Sequence, residues 1–95
     1  MTVVKINALW CPGCLIMNKI WQKINTDFPN LDITNLDYDF DNDEVKKYNI
    51  GNKLPVAIFF NDQNIEIHRI VGETSYEKLY SFIEGNNIWK VLDCY

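Results

Sequence analysis

The hydrophobic period of the chain changes at a pair of cysteines near its N-terminus. Residues 3–9 form an apolar run, as in a buried strand, whereas apolar residues within 15–24 recur at helical spacing. Cys11 and Cys14 lie at the junction, on what would be the first helical turn, so their thiols are close enough to join as a disulfide. The first thiol would also lie at the positive end of the helix dipole, which favours the thiolate. The junction therefore predicts a strand followed directly by a helix that begins with a redox-capable dithiol.

Four segments carry the residue pattern of β-strands. Residues 2–8 are rich in β-branched side chains, and residues 31–36 alternate between apolar and polar. Residues 56–60 form a nearly continuous apolar run, which is typical of a strand covered on both faces. The polar stretch 61–64 separates this run from residues 65–71, so the last two strands are expected to form an antiparallel hairpin.

Two further helices are predicted after the first. The second covers about 42–48, and the third is capped by Thr74 or Ser75 and runs through Ile83. We expect residues 88–95 to form a C-terminal tail. The element order βαβαββα predicts a single α/β domain over the whole chain, 1–95. Because the strand–helix–strand unit gives a parallel pair and the hairpin an antiparallel pair, its sheet should be four-stranded and mixed, with helices on both faces.

Composition and charge exclude several classes of function. The net charge of −4, with no basic cluster, argues against nucleic acid as a partner. No apolar run approaches the roughly 20 residues that a membrane span needs. The N-terminus lacks the pattern of a signal peptide, and three cysteines without an export signal favour a reducing compartment. We therefore expect a cytoplasmic monomer without nucleic-acid or membrane partners, in which Cys94 is a free thiol.

Three motifs together resemble the thioredoxin family. Trp10-Cys11-Pro12-Gly13-Cys14 is similar to its active-site motif, with the two central residues in reversed order. Leu54-Pro55, before a buried strand, resembles the family's cis-proline site, and Gly72 matches the glycine that lines its substrate groove. The resemblance implies a thioredoxin-like fold that lacks the extra N-terminal strand and helix. What is left is the minimal core shared with glutaredoxins.

The resemblance also implies a role for each motif. Cys11 is the nucleophile that forms a mixed disulfide with the substrate, and Cys14 is the resolving thiol that then attacks Cys11. Cysteines at helix N-termini have pKa values of about 3.5–7.5 instead of about 8.5. A cis bond at Leu54-Pro55 would present the Leu54 backbone to an extended substrate. The substrate-binding residues implied around the dithiol are Trp10, Pro12, Gly13, Leu54, Pro55, Val71 and Gly72.

Lys5 departs from the family pattern. Thioredoxins usually carry a buried acid six residues before the first cysteine, and Lys5 occupies that position, while Asn35 stands where the family's partner lysine is usual. A buried lysine is costly unless it is paired or neutral. Asp37 is a candidate partner, and the alternative is that Lys5 reaches solvent. Our hypothesis is that Lys5 stabilises a nearby thiolate and makes the protein more oxidising than a typical thioredoxin.

The predicted function is thiol–disulfide exchange with protein disulfides, with electrons from a thioredoxin-reductase-like enzyme and no cofactor besides the Cys11–Cys14 dithiol. A glutaredoxin-like, glutathione-dependent activity is one alternative, favoured by the minimal length and the Cys-Pro start of the motif. Against it, Trp10 and the single Gly72 look thioredoxin-like. Another alternative is a non-catalytic binding module that uses the apolar face around Trp10 and Leu54.

Two other patterns are assigned no site. Zinc usually takes four ligands, and only His68 and Cys94 remain besides the close cysteine pair, so no metal site is predicted. An alternating acidic series is predicted to be a solvated connection, because a calcium loop would need a glycine and a glutamate at set offsets. That series is Asp37, Asp39, Asp41 and Asp43.

Overall fold

The structure, a computed structural model, describes residues 1–92, with the side chains of residues 1–85. Its order of elements is the predicted βαβαββα. The elements are β1 (Thr2–Asn7), α1 (Pro12–Asp27), β2 (Asp32–Asp37), α2 (Asn42–Lys46), β3 (Val56–Phe60), β4 (Glu66–Val71) and α3 (Tyr76–Leu92).

The four strands form one mixed sheet in the order β2-β1-β3-β4. β1 runs parallel to β2 and antiparallel to β3, and β3 runs antiparallel to β4. In this register Ile6 pairs with Val56, and Val56 pairs with Val71. The segments that follow β1, β2 and β4 therefore meet the segment that precedes β3 at one edge of the sheet. This edge collects all three sequence motifs.

Helices cover both faces of the sheet, as predicted. α1 and α3 pack on one face around Phe59, which is fully buried, and α2 packs on the other through Val45. The alternation of side chains along β1 and β3 supplies both cores. The first core contains Val3, Met17, Trp21, Ile24, Ala57, Phe59, Leu79 and Ile83, and the second contains Val4, Ile6, Val45, Val56 and Ile58.

The last helix is longer than the sequence indicated. Ser75 is the N-terminal cap, since its Oγ accepts a hydrogen bond from the Lys78 backbone N–H at 3.2 Å. α3 then continues through Leu92, so the helix runs past the predicted end at Ile83 and includes residues 88–92 of the C-terminal tail, whose conformation the sequence left open. A glycine such as Gly85 costs a helix only about 1 kcal/mol relative to alanine, which does not end one already anchored by buried turns. Residues 93–95, which include Cys94, lie outside the described residues.

Candidate active site

The dithiol lies where β1 ends and α1 begins. Cys11 is the N-cap of α1, in an extended conformation, and Pro12 takes the first helical position, where its missing N–H costs no hydrogen bond. The Cys14 backbone N–H donates to Cys11 Sγ at 3.1 Å, and Cys11 N–H donates to the Ala8 carbonyl at 3.2 Å. Both cysteines are buried and free. The helix start therefore holds the two sulfurs together and directs an N–H dipole at the first.

Cys14 is the thiol that resists ionisation. Burial raises its pKa to about 11, and the hydrogen bond and charge of Cys11 act in the same direction. A backbone hydrogen bond from Ala8 and the positive charge of Lys5 oppose this rise. At neutral pH Cys14 is therefore protonated in the reduced protein.

Lys5 lies beneath the dithiol on the α1 side of the sheet. It is only 7% exposed, and its Nζ lies 5.0 Å from the centre of the Trp21 ring, a cation–π contact. Burial lowers the pKa of Lys5, and the neighbouring Cys14 thiolate would raise it. Among residues 1–85, whose side chains are described, Lys5 forms no ion pair. Both expectations for its surroundings, pairing with Asp37 and access to solvent, are therefore wrong.

Asp37 instead organises the loop that follows β2. Its Oδ1 accepts hydrogen bonds from the backbone N–H groups of Asp39 and Phe40, at 2.8 and 2.9 Å. Asp41 Oδ2 in turn accepts from the Asp37 N–H at 2.7 Å. Short acidic side chains that bond the backbone nearby are typical of tight turns. The acidic series is thus an ordered connection from the end of β2 into α2, in which Asp39 and Asp43 are exposed to solvent as predicted.

This loop fixes Trp10 beside Cys11. Trp10 Nε1 donates to Asp39 Oδ2 at 2.7 Å, and Tyr38 meets the indole edge-on, with ring centres 6.0 Å apart. The indole nevertheless remains 58% exposed, and Leu9 and Phe40 are exposed as well. Trp10 therefore presents a fixed, exposed apolar surface next to Cys11. Sequence reasoning missed Asp39 as its anchor.

The remaining predicted residues lie before the start of β3 and at the end of β4. The Leu54-Pro55 peptide bond is cis, and Leu54 packs against the buried cluster of Ala8 and the two cysteines. The Gly72 N–H donates to the Pro55 carbonyl at 2.7 Å, with φ at +88°, a conformation that favours glycine. Val71 is exposed at the end of β4.

Gly13 is the residue of the motif that lies close to Pro55 and to Glu73, the residue after Gly72. A Cβ built on Gly13 would lie 3.2 Å from Pro55 Cδ and 3.4 Å from Glu73 Cγ. A side chain at this position would therefore need Pro55 to shift by a few tenths of an ångström and would touch Glu73. Glu73 is a second residue of the site that sequence reasoning missed, since nothing in its spacing places it over the motif.

Two other kinds of site are absent among the described residues. Over residues 1–92 there is no helix long and apolar enough to cross a membrane. Nor does this part of the chain contain a group of three or more histidine, cysteine, aspartate or glutamate residues placed to hold a metal ion.

Comparison with known proteins places this geometry in a family. Residues 1–85 match the family model for thioredoxin. Mitochondrial thioredoxin 3 from Saccharomyces cerevisiae, in its oxidised form, has a similar structure, with 23% sequence identity and a TM-score of 0.76. The alignment covers 88% of this chain and 76% of that one. The structure of reduced Schistosoma mansoni thioredoxin is equally similar, with 23% identity and a TM-score of 0.76 over 88% of this chain and 76% of that one.

A third similar structure comes from work on the thiol-resolving mechanism of a yeast mitochondrial 1-Cys peroxiredoxin via the glutathione and thioredoxin systems. It has a TM-score of 0.78 and 21% identity, over 88% of this chain and 76% of that one. Comparison with curated proteins found no significant sequence match. At these identities the structures establish the shared fold, and the family model, which matches nearly the whole chain, establishes the lineage: this chain belongs to the thioredoxin family.

Proposed function

We propose that this protein is a thiol–disulfide oxidoreductase that exchanges its Cys11–Cys14 dithiol with disulfides of protein substrates. The observation that carries the proposal is the pair of sulfurs at the start of α1, where the Cys14 N–H donates to Cys11 Sγ. A hydrogen bond and a helix N-terminus both stabilise negative charge on that sulfur. Membership of the thioredoxin family supports the same reaction class.

The proposed reaction has two displacements. The Cys11 thiolate attacks one sulfur of the substrate disulfide, the substrate S–S bond breaks, and the other substrate sulfur leaves as a thiolate. Cys14 then gives up its proton to solvent and attacks Cys11 Sγ. This step forms the Cys11–Cys14 disulfide and releases the second substrate sulfur. The substrate gains two electrons, and the protein loses two.

The first displacement prepares Cys14 for the second. In the free reduced protein the hydrogen bond and charge of Cys11 help to keep the Cys14 pKa raised. Once Cys11 is part of the mixed disulfide, its sulfur carries no negative charge and that contribution disappears. The positive charge of Lys5 still favours the Cys14 thiolate. We propose that Lys5 thereby acts as a positioning charge for the resolving step.

Lys5→Met is expected to slow that resolving step roughly three- to tenfold at neutral pH. Removing the positive charge raises the pKa of Cys14 further, so a smaller fraction is ionised when the mixed disulfide forms. Rapid-quench measurement of the mixed-disulfide lifetime checks this. We also expect the reduction potential of the Cys11–Cys14 pair to become more negative, because methionine does not stabilise the thiolate of the reduced form.

Lys47→Met is the matched control for Lys5→Met. Lys47 forms an exposed ion pair with Glu44 on α2, away from the dithiol, and such pairs contribute little. Its mixed-disulfide lifetime should equal that of the wild type. An unchanged lifetime and thiol titration in Lys5→Met would remove Lys5 from the mechanism.

The source of electrons is the part of the proposal that an assay must decide. We propose a thioredoxin-reductase-like donor in the cytoplasm, and glutathione is the alternative. The test compares reduction of a protein disulfide, such as insulin, with glutathione-dependent turnover of a small mixed disulfide. Activity only with glutathione would move the protein to a glutaredoxin-like role. Activity in neither assay would contradict the oxidoreductase and favour a binding module built on the face around Trp10 and Leu54.

A further inference from the structure

Glu73 lies next to the Trp10–Cys14 motif, although it follows β4 and not β1. The side chain projects from the segment between Gly72 and α3 and reaches Gly13, which lies between the two cysteines. From the Cβ position of Gly13, Glu73 Cγ is 3.4 Å away and the carboxyl carbon Cδ is 3.6 Å away. The stem thus lies in van der Waals range of the position that a side chain at residue 13 would take. Its carboxylate consequently lies beside the first turn of α1, which carries the dithiol.

The carboxylate of Glu73 pairs with no other group among the described residues. The residue is exposed, and among the described residues it takes part in no ion pair or hydrogen bond. A second acid lies across the motif, because Asp39 anchors Trp10 on the other side of Cys11. The nearest cation below the motif, Lys5, is buried. A ligand that approaches Cys11 therefore meets negative charge on two sides of an apolar surface.

We infer that Glu73 is a specificity residue that favours disulfides with a lysine or arginine next to the target cysteine and disfavours anionic disulfides such as glutathione disulfide. The inference rests on the proposed function. A residue adjacent to the attacked cysteine passes within a few ångströms of Gly13 as that cysteine reaches Cys11. Opposite unit charges at about 5 Å near a protein surface change a rate constant roughly three- to tenfold at low salt.

The test uses two disulfide peptides that differ only in lysine or glutamate beside one cysteine. At low ionic strength the wild type should reduce the lysine peptide roughly three- to tenfold faster, and high salt should shrink this ratio. Glu73→Gln keeps the shape of the side chain and should bring the ratio toward one. Glu73→Lys should invert it. Glu77→Gln, an equally exposed acid in the first turn of α3, is the control and should keep the wild-type ratio.

The outcomes separate this inference from the proposed function. A ratio that is the same in wild type, Glu73→Gln and Glu73→Lys, with both peptides reduced, would overturn the specificity role and leave the oxidoreductase intact. Failure of the wild type to reduce either peptide would instead overturn the oxidoreductase itself. Glutathione disulfide, which is anionic, gives a complementary test. If Glu73→Gln reduces it faster than the wild type does, with both rates taken relative to uncharged hydroxyethyl disulfide, the inference is supported.

Discussion

Cys14→Ser should convert the protein into one that remains covalently bound to its substrates through Cys11. The serine hydroxyl does not displace a disulfide sulfur, so the mixed disulfide formed in the first displacement persists. The N–H of residue 14 still donates to Cys11 Sγ, because that bond comes from the backbone. Non-reducing electrophoresis followed by mass spectrometry should identify Cys11 as the site of attachment. Turnover should fall by roughly 10³-fold or more.

Cys11→Ser is the matched variant and should trap nothing. In it, the remaining site thiol is Cys14, which is buried out of reach of a substrate disulfide, and burial, the largest cause of its raised pKa, is unchanged by the substitution. Both variants are best made in a Cys94→Ser background, so that the third thiol cannot contribute. If Cys11→Ser captured substrates as well as Cys14→Ser does, the assignment of nucleophile and resolving thiol would be reversed.

Phe59→Ala should be the most destabilising single substitution that leaves the site residues in place. Phe59 is fully buried in β3, between Trp21 and Phe82, with ring centres 6.3 and 4.8 Å away. Removing such a ring leaves a cavity and costs about 3–5 kcal/mol. A chain of this size has a free energy of unfolding of about 5–14 kcal/mol. Urea unfolding should show a large drop in midpoint with little change in slope.

Phe40→Ala is the control for that loss. The side chain is 81% exposed on the loop after β2, so its removal creates no cavity. The free energy of unfolding should change by less than about 0.5 kcal/mol. A comparable loss in both variants would show that burial in the first core is not what stabilises β3.

The order of elements and the dithiol could be predicted because each leaves a local signal. A change from strand to helix period marks the start of α1 at the cysteines, and the apolar run 56–60 marks a central strand. The parallel and antiparallel pairs follow from the lengths of the connections. Motif order then brings Trp10, Leu54-Pro55 and Gly72 to Cys11, because strand ends that share an edge of a sheet are neighbours in space.

What the sequence did not reveal depends on contacts between distant segments. Asp39 looks like any loop acid until the fold brings it within 2.7 Å of the Trp10 nitrogen. Glu73 covers Gly13 only because β4 ends opposite the start of β3. Lys5 forms no ion pair among the side chains that the structure describes, and its contact with the Trp21 ring requires α1 to lie across β1. The extent of α3 was missed because Gly85 and two asparagines weaken a helix locally without ending it.

The strand order also has a consequence for the solubility of the protein. The two apolar strands, β1 and β3, are central, while the edge strands carry charge, with Asp32 exposed on β2 and an Arg69–Glu66 ion pair on β4. Charged edges resist pairing with the edge of another molecule. A short apolar strand without charge, such as β3, is the kind of segment that aggregates when it is uncovered. Local opening at the β4 edge is thus the event that would expose this segment, and the charges on β4 disfavour its pairing with the edge of another molecule.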